Sequence, residues 1–173
     1  MRVARCGMRD AGGGWRMADG GWRDVERGGA MKKGDGRPGS FTEWVETVPS
    51  TIKAGPLWGS IFYQRALFLY DLCWFDCDSW SEDPRGRAVA QQIIRSCGSI
   101  SANMEEGYGR GFGKDYARFL SISLGSARET RGWYFRGRYL MKAEAFEHRI
   151  SLCDEIISML LPIIIQQRNR PKK

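Results

Sequence analysis

The sequence predicts an all-α fold: an antiparallel up-down-up-down four-helix bundle preceded by a disordered N-terminal extension. Three observations lead there. Apolar residues recur at helical spacing in four separate segments after residue 57, capping and breaking residues punctuate those segments, and the connections between them are short enough to force antiparallel neighbours.

The extension, residues 1–56, scatters Gly12-Gly13-Gly14, Gly20-Gly21, Gly28-Gly29 and Gly34-Asp35-Gly36 among arginines. Read by composition it is a disordered or weakly structured tail. It has three readings: a flexible Arg/Gly arm on RNA, a plain linker, or an upstream start with Met31 as the true beginning.

Helix one starts at Ile61, with Tyr63, Leu67, Tyr70, Trp74 and Cys77 at four-three-four-three spacing and therefore on one face. Ser81-Glu82-Asp83-Pro84 supplies cap and breaker. Helix two follows from about Pro84 to Glu106 and buries Val89, Ile93, Cys97, Ile100 and Met104, while Gly98, Ser99, Ser101 and Ala102 let a neighbour approach closely. Gly107 stands where a left-handed cap would end that helix, and the glycines at 109, 111 and 113 form a turn. Helix three runs from Lys114 to about Leu140, gathering Tyr116, Phe119, Ile122, Ser123, Ser126, Thr130, Trp133, Tyr134, Leu140 and Met141 on one side. Helix four begins near Glu144 and keeps heptad spacing through Phe146, Ile150, Cys153, Ile157, Leu160 and Ile164, with Pro162 expected to kink or weaken its last turns.

A chain of 173 residues is enough for one core. Its formal charge of +7 and pI near 9.4 favour polyanionic partners such as RNA or DNA, without pointing to a site. Five scattered cysteines (Cys6, Cys73, Cys77, Cys97, Cys153) suit a reducing cytoplasm. With no uninterrupted apolar run of membrane length and no apolar segment behind the basic amino terminus, neither export nor a membrane span is expected.

The stretch from Arg95 to Arg110, which contains Ser99-Ile100, Asn103, Glu106-Gly107 and Gly109, is followed by Tyr116-Ala117-Arg118-Phe119-Leu120 and Gly125-Ser126-Ala127-Arg128-Glu129-Thr130. These motifs resemble those of the four-helix-bundle family that includes the proteins encoded in 23S rRNA intervening sequences, and Tyr63-Gln64-Arg65-Ala66 is similar to that family's first-helix segment. Met104, Glu105 and Ser123 depart from the pattern. The resemblance covers roughly residues 57–170 and implies a ring-shaped homo-oligomer, typically a pentamer, without catalysis. It also implies two kinds of partner: ribosomal RNA, or, as in the related accessory protein of diversity-generating retroelements, a reverse transcriptase together with nucleic acid.

Candidate sites divide by how well their chemistry holds up. Gly107-Tyr108-Gly109-Arg110-Gly111-Phe112-Gly113-Lys114 is glycine-rich before a helix, but Tyr108 and Asp115 stand where a phosphate loop needs glycine and a hydroxyl, and a helix rather than a strand precedes it. Cys73 and Cys77 sit one turn apart, yet with a single histidine, His148, and no second cysteine pair, no metal site and no cofactor are expected. Adjacent Glu105 and Glu106 cannot face one substrate, and His148 has no nucleophile in a recognisable motif, so no catalytic residue is assigned. Asn103, Glu106 and Glu129 read as groups that fix helix register or a subunit contact. The remaining feature is a basic stripe on helix three. Arg131, Arg138 and Lys142 lie within about 80° of Arg128, with Phe135 in the same sector, and Arg110 and Lys114 are further candidates. Such a row neutralises phosphates and stacks on bases; its bland alternative is a solvated face. The two function classes are accordingly a nucleic-acid-binding or ribonucleoprotein scaffold and a protein-docking adaptor.

Overall fold

The computed structural model describes residues 36–170. They contain six α-helices and no strand: α1 (Phe41–Thr47), α2 (Ser50–Lys53), α3 (Ile61–Trp80), α4 (Pro84–Gly109), α5 (Lys114–Arg136) and α6 (Ala143–Arg168), with a 3₁₀ turn at Arg138–Leu140. The last four form the bundle. Each packs on its sequence neighbour and α3 closes against α6, the up-down-up-down arrangement.

The expected helix starts hold because local chemistry fixes them. The Asp83 side chain accepts from the Arg85 N–H and Pro84 occupies the first turn of α4, where its missing N–H costs nothing. Gly113, at φ 88°, starts α5, and its N–H donates to Gln167 Oε1 at 3.0 Å, tying the loop to the end of α6. Most of the α4 and α6 core stripes are as read, with Ile93, Cys97, Ile100, Met104, Cys153, Ile157, Leu160 and Ile164 buried, but Val89, Phe146 and Ile150, at the starts of the two helices, are only half-buried. Pro162 lies inside α6, which continues to Arg168.

Three expectations are corrected. Gly107 is not a left-handed cap: α4 runs through it to Gly109, and positive φ falls at Gly111 and Gly113 instead. Its role is close packing, since a Cβ there would lie 2.5 Å from Phe119 Cβ. Trp74 is 60% exposed, because α3 turns Ala66, Leu69, Cys73 and Asp76 into the bundle. The third concerns the extension. Residues 1–35, with most of the glycines and Cys6, lie outside the described residues, but the rest holds two short helices, α1 and α2, and turns at 54–58 that bring Leu57 and Trp58 back onto the bundle. Phe41, Trp44, Val45, Val48 and Ile52 recur at helical spacing; Ser40 caps α1 by accepting from the Glu43 N–H. Trp44 is buried, with its ring 5.4 Å from that of Phe68 and its N–H donating to Asp71 at 2.6 Å. Three aromatics, Phe41, Trp44 and Trp58, are apolar payload enough to dock this segment on α3.

By length and composition α6 is apolar enough to cross a membrane. In this fold Leu152, Cys153, Ile156, Leu160 and Ile164 of that helix wall the bundle core.

At the heart of the bundle lies an ion pair that sequence patterning did not reveal. Arg149 on α6 and Asp76 on α3 are both buried and joined twice, Nε to Oδ2 at 2.8 Å and Nη2 to Oδ1 at 3.2 Å. Tyr134 of α5 donates to Asp76 Oδ2 at 3.1 Å, and Arg37 donates to Oδ1 at 3.2 Å. Three bundle helices and the N-terminal segment therefore meet at one carboxylate. Between α4 and α5, Ser126 donates to Ser99 at 3.0 Å, and Thr130 Oγ1 lies 3.0 Å from Ser96 Oγ. These polar rungs fix the register of the two helices, because sliding either one leaves buried hydroxyls unpaired.

Candidate nucleic-acid interface

The basic stripe lies beside a groove between α5 and α6, about 550 Å³ in volume, lined by Arg128, Arg131, Gly132, Phe135, Arg136, Phe146, Ile150 and Asp154. Spacings of three and four residues put the α5 members on one edge of the helix, and the antiparallel partner brings Phe146, Ile150 and Asp154 opposite them. The stripe residues are not equivalent. Arg131 is ion-paired with Asp154 across the groove. Arg128 makes no hydrogen bond or ion pair among the described residues, and Arg136 only lies over the Trp133 ring at 4.9 Å. Arg136, which the helical-sector reading left out, is thus, with Arg128, one of the two groove arginines without an ion pair among the described residues.

Phe135 is 56% exposed and Tyr139 is 84% exposed. The Arg138 guanidinium lies 4.3 Å from the Phe135 ring centroid and 4.2 Å from that of Tyr139. It is held there by donating to the Phe135 carbonyl at 2.8 Å and to the Tyr139 hydroxyl at 2.6 Å. Tyr139 was missed because α5 ends at Arg136 and the following 3₁₀ turn takes it off the helical wheel. Lys142, beyond that turn, is exposed at the N-cap of α6.

Arg110 and Lys114 do not join this cluster. Lys114 begins α5, fourteen residues and so about 21 Å from Arg128, while Arg110 pairs with Glu106 at 2.6 Å and lies over Phe119. The structural motif residues separate too. Ser99 and Ser126 join α4 to α5, Ile100 and Gly107 are buried, and Asn103 donates to the Ser99 carbonyl at 2.7 Å. Glu106 and Glu129 are exposed, with Glu129 accepting from the Trp133 indole at 3.3 Å; neither fixes register in the core. The interhelix contact falls to their neighbour Glu105, which accepts from Tyr63 at 2.7 Å. Gly109 and Gly125 are exposed, and a Cβ at either would meet nothing within 4 Å.

The cysteines Cys73, Cys77, Cys97 and Cys153 are free and buried. Cys73 and Cys77 sulfurs lie 3.9 Å apart, but no group of three or more metal-ligating side chains forms among the described residues. Burial pushes the Cys97 and Cys153 thiols well up, away from the thiolate form. His148 packs edge-on to Phe68, and its Nδ1 lies 2.6 Å from Arg149 Nη1. Arginine only donates, so Nδ1 is the acceptor and the ring is neutral. Desolvation first, then the Arg149 charge, lowers its pKa to about 4.

A family model for the 23S rRNA-intervening sequence protein matches residues 60–161. The chain belongs to this family. The match takes in α3, α4, α5 and most of α6, and so includes both the Ser99–Ser126 contact and the groove, whereas α1 and α2 fall before it. Among solved structures, the 23S rRNA-intervening sequence protein fold is shared with a protein of unknown function from the S23 ribosomal protein family of Bacteroides thetaiotaomicron. That protein is 25% identical, with a TM-score of 0.55 over 60% of this chain and 97% of its own. No curated protein matches the chain.

Proposed function

We propose that the protein is a non-enzymatic, oligomeric scaffold that holds nucleic acid through the α5–α6 groove, as an accessory to a ribonucleoprotein. The observation that carries this reading is the pair Arg128 and Arg136, which flank the groove beside the exposed Phe135 and make no ion pair among the described residues. Guanidinium groups free of carboxylates neutralise phosphates, and their contacts need no particular sequence. Ribosomal RNA is the natural first ligand to try, given the names of the family and of its solved relative.

Support for self-association comes from the outward side of the bundle. Gly125 sits inside a helix, where glycine costs about 1 kcal/mol relative to alanine, yet none of the described residues would lie within 4 Å of a Cβ there. Exposed Ile122 on the same helix, and Leu161 and Ile165 on α6, are apolar groups a second copy would cover. Pentamer rings are the arrangement to test by light scattering.

The test of nucleic-acid binding is fluorescence anisotropy with ribosomal RNA fragments and DNA at low salt, on the wild type and on the double charge reversal Arg128→Glu, Arg136→Glu. Binding that weakens at least tenfold on reversal supports the reading, and a complete lack of binding removes it. The competing adaptor role, docking a protein such as a reverse transcriptase, has its own anchors in exposed Trp74 and Phe112. It predicts that the partner's affinity survives this charge reversal.

A further inference from the structure

The groove's unpaired charge lies on one wall: Arg131 and Asp154 pair across it, whereas Arg128 and Arg136 make no ion pair among the described residues. Arg128 and Arg136 line the α5 side; on α6, Phe146 and Ile150 form an apolar floor, and Asp154 stands beyond it. In the adjoining depression Glu155 is paired with Arg65 at 3.1 Å, and Glu147 makes no ion pair among the described residues. A double helix carries two phosphate backbones and would set one of them against α6, where the lining residues Phe146, Glu147, Ile150, Ser151 and Ser158 offer no cation. A single strand can lay its only backbone along α5 and turn its bases toward the apolar floor.

The aromatic groups suit the same occupant. Phe135 and Tyr139 present ring faces that a paired, stacked base cannot reach but an unpaired one can. Arg138 lies against one face of each ring and is itself anchored by donating to the Phe135 carbonyl and the Tyr139 hydroxyl, which orders the pair before a ligand meets the opposite faces. Gly132, between the two free arginines, leaves the helix wall flat, and a Cβ there would meet only the flexible end of Arg136. No other described residue comes within 4 Å of that Cβ position, whereas a sugar-phosphate chain lying between Arg128 and Arg136 would use the space.

We infer that the groove takes one unpaired strand of RNA or DNA and discriminates against duplex. Phosphates lie along Arg128 and Arg136, and bases stack on Phe135 and Tyr139. This rests on the nucleic-acid reading above and adds the class of ligand to it.

The experiment measures anisotropy of the full chain with four probes of about twelve residues, within the site sizes known for single-strand binders: oligouridine RNA, oligothymidine DNA, and an RNA and a DNA duplex. Single strands should bind about tenfold tighter than duplexes. Phe135→Leu and Tyr139→Leu, both at exposed positions and checked by circular dichroism for an unchanged fold, should each lose about tenfold on single strands and leave duplex binding unaltered. Glu147→Gln, which leaves the Arg131–Asp154 pair intact, should raise duplex binding more than single-strand binding. RNA and DNA strands are separate arms, and a preference between them assigns the sugar without altering the inference. Duplex binding equal to or tighter than single-strand binding overturns the inference while leaving nucleic-acid binding intact, as does an unchanged affinity in both leucine variants. An absence of binding by every probe at low salt overturns the underlying reading and this inference with it.

Discussion

Removing the Asp76 carboxylate tests how the bundle is held together. In Asp76→Ala the fully buried Arg149 guanidinium loses both hydrogen bonds to its partner, and Tyr134 loses its acceptor. Breaking a buried pair by deleting one member costs about 3–5 kcal/mol, because the surviving charge cannot return to water without unfolding its surroundings. Against a typical total of about 5–15 kcal/mol, that is a large share. The double variant Asp76→Leu, Arg149→Met removes both charges and should recover most of the loss, since the pair's own attraction is largely offset by desolvation. Urea unfolding followed by circular dichroism gives both numbers from the shift in midpoint. A loss below about 1 kcal/mol in the single variant would show that Arg149 finds another partner. A double variant no more stable than the single one would show that the network contributes far more than a satisfied pair.

Other perturbations separate close packing from open surface. Gly107→Ala should lose about 1–3 kcal/mol, since its Cβ would collide with Phe119. Gly125→Ala should leave the isolated chain as stable or firmer by about 1 kcal/mol, while shifting any oligomer toward smaller species in light scattering. Trp44→Ala should release the N-terminal segment from α3, read as faster tryptic cleavage after Lys53 with bundle helicity retained; unchanged cleavage would mean the indole does not hold it. His148 has its folded pKa lowered from 6.5 to about 4, so the unfolded chain binds the extra proton first. Its contribution to stability is therefore complete above about pH 6.5 and is lost as pH falls toward 4, and the urea midpoint of His148→Gln should lack that part of the slope.

The bundle was legible because its helices carry their signals locally. Asp83-Pro84 starts α4, and the heptad from Phe146 to Ile164 needs only spacing to be seen. What escaped depends on residues far apart in sequence. Asp76 and Arg149 are 73 positions apart, and each alone looks like a polar residue interrupting an apolar stripe; a lone charge at a core position on two different helices was the available sign. Gly107 was misplaced because a helix-ending glycine and a glycine demanded by Phe119 look alike in sequence. Averaging residues 1–56 as one glycine-rich block concealed the helical spacing of Phe41, Trp44, Val45 and Val48. At the groove, the helical wheel identified Arg128, Arg131 and Phe135, but could not see Asp154 pairing with Arg131, nor Tyr139 beyond the end of α5.

The salt dependence of single-strand binding bears on the nucleic-acid role most directly. Four cations, Arg128, Arg136, Arg138 and Lys142, can meet phosphates here, so log K should fall with log salt at a slope near −3 per subunit, from about −0.7 per phosphate contact. Arg128→Glu with Arg136→Glu should flatten that slope by at least about 1.4 while weakening binding at low salt. A slope near zero, or one unchanged by the double reversal, would contradict a phosphate-binding groove between α5 and α6.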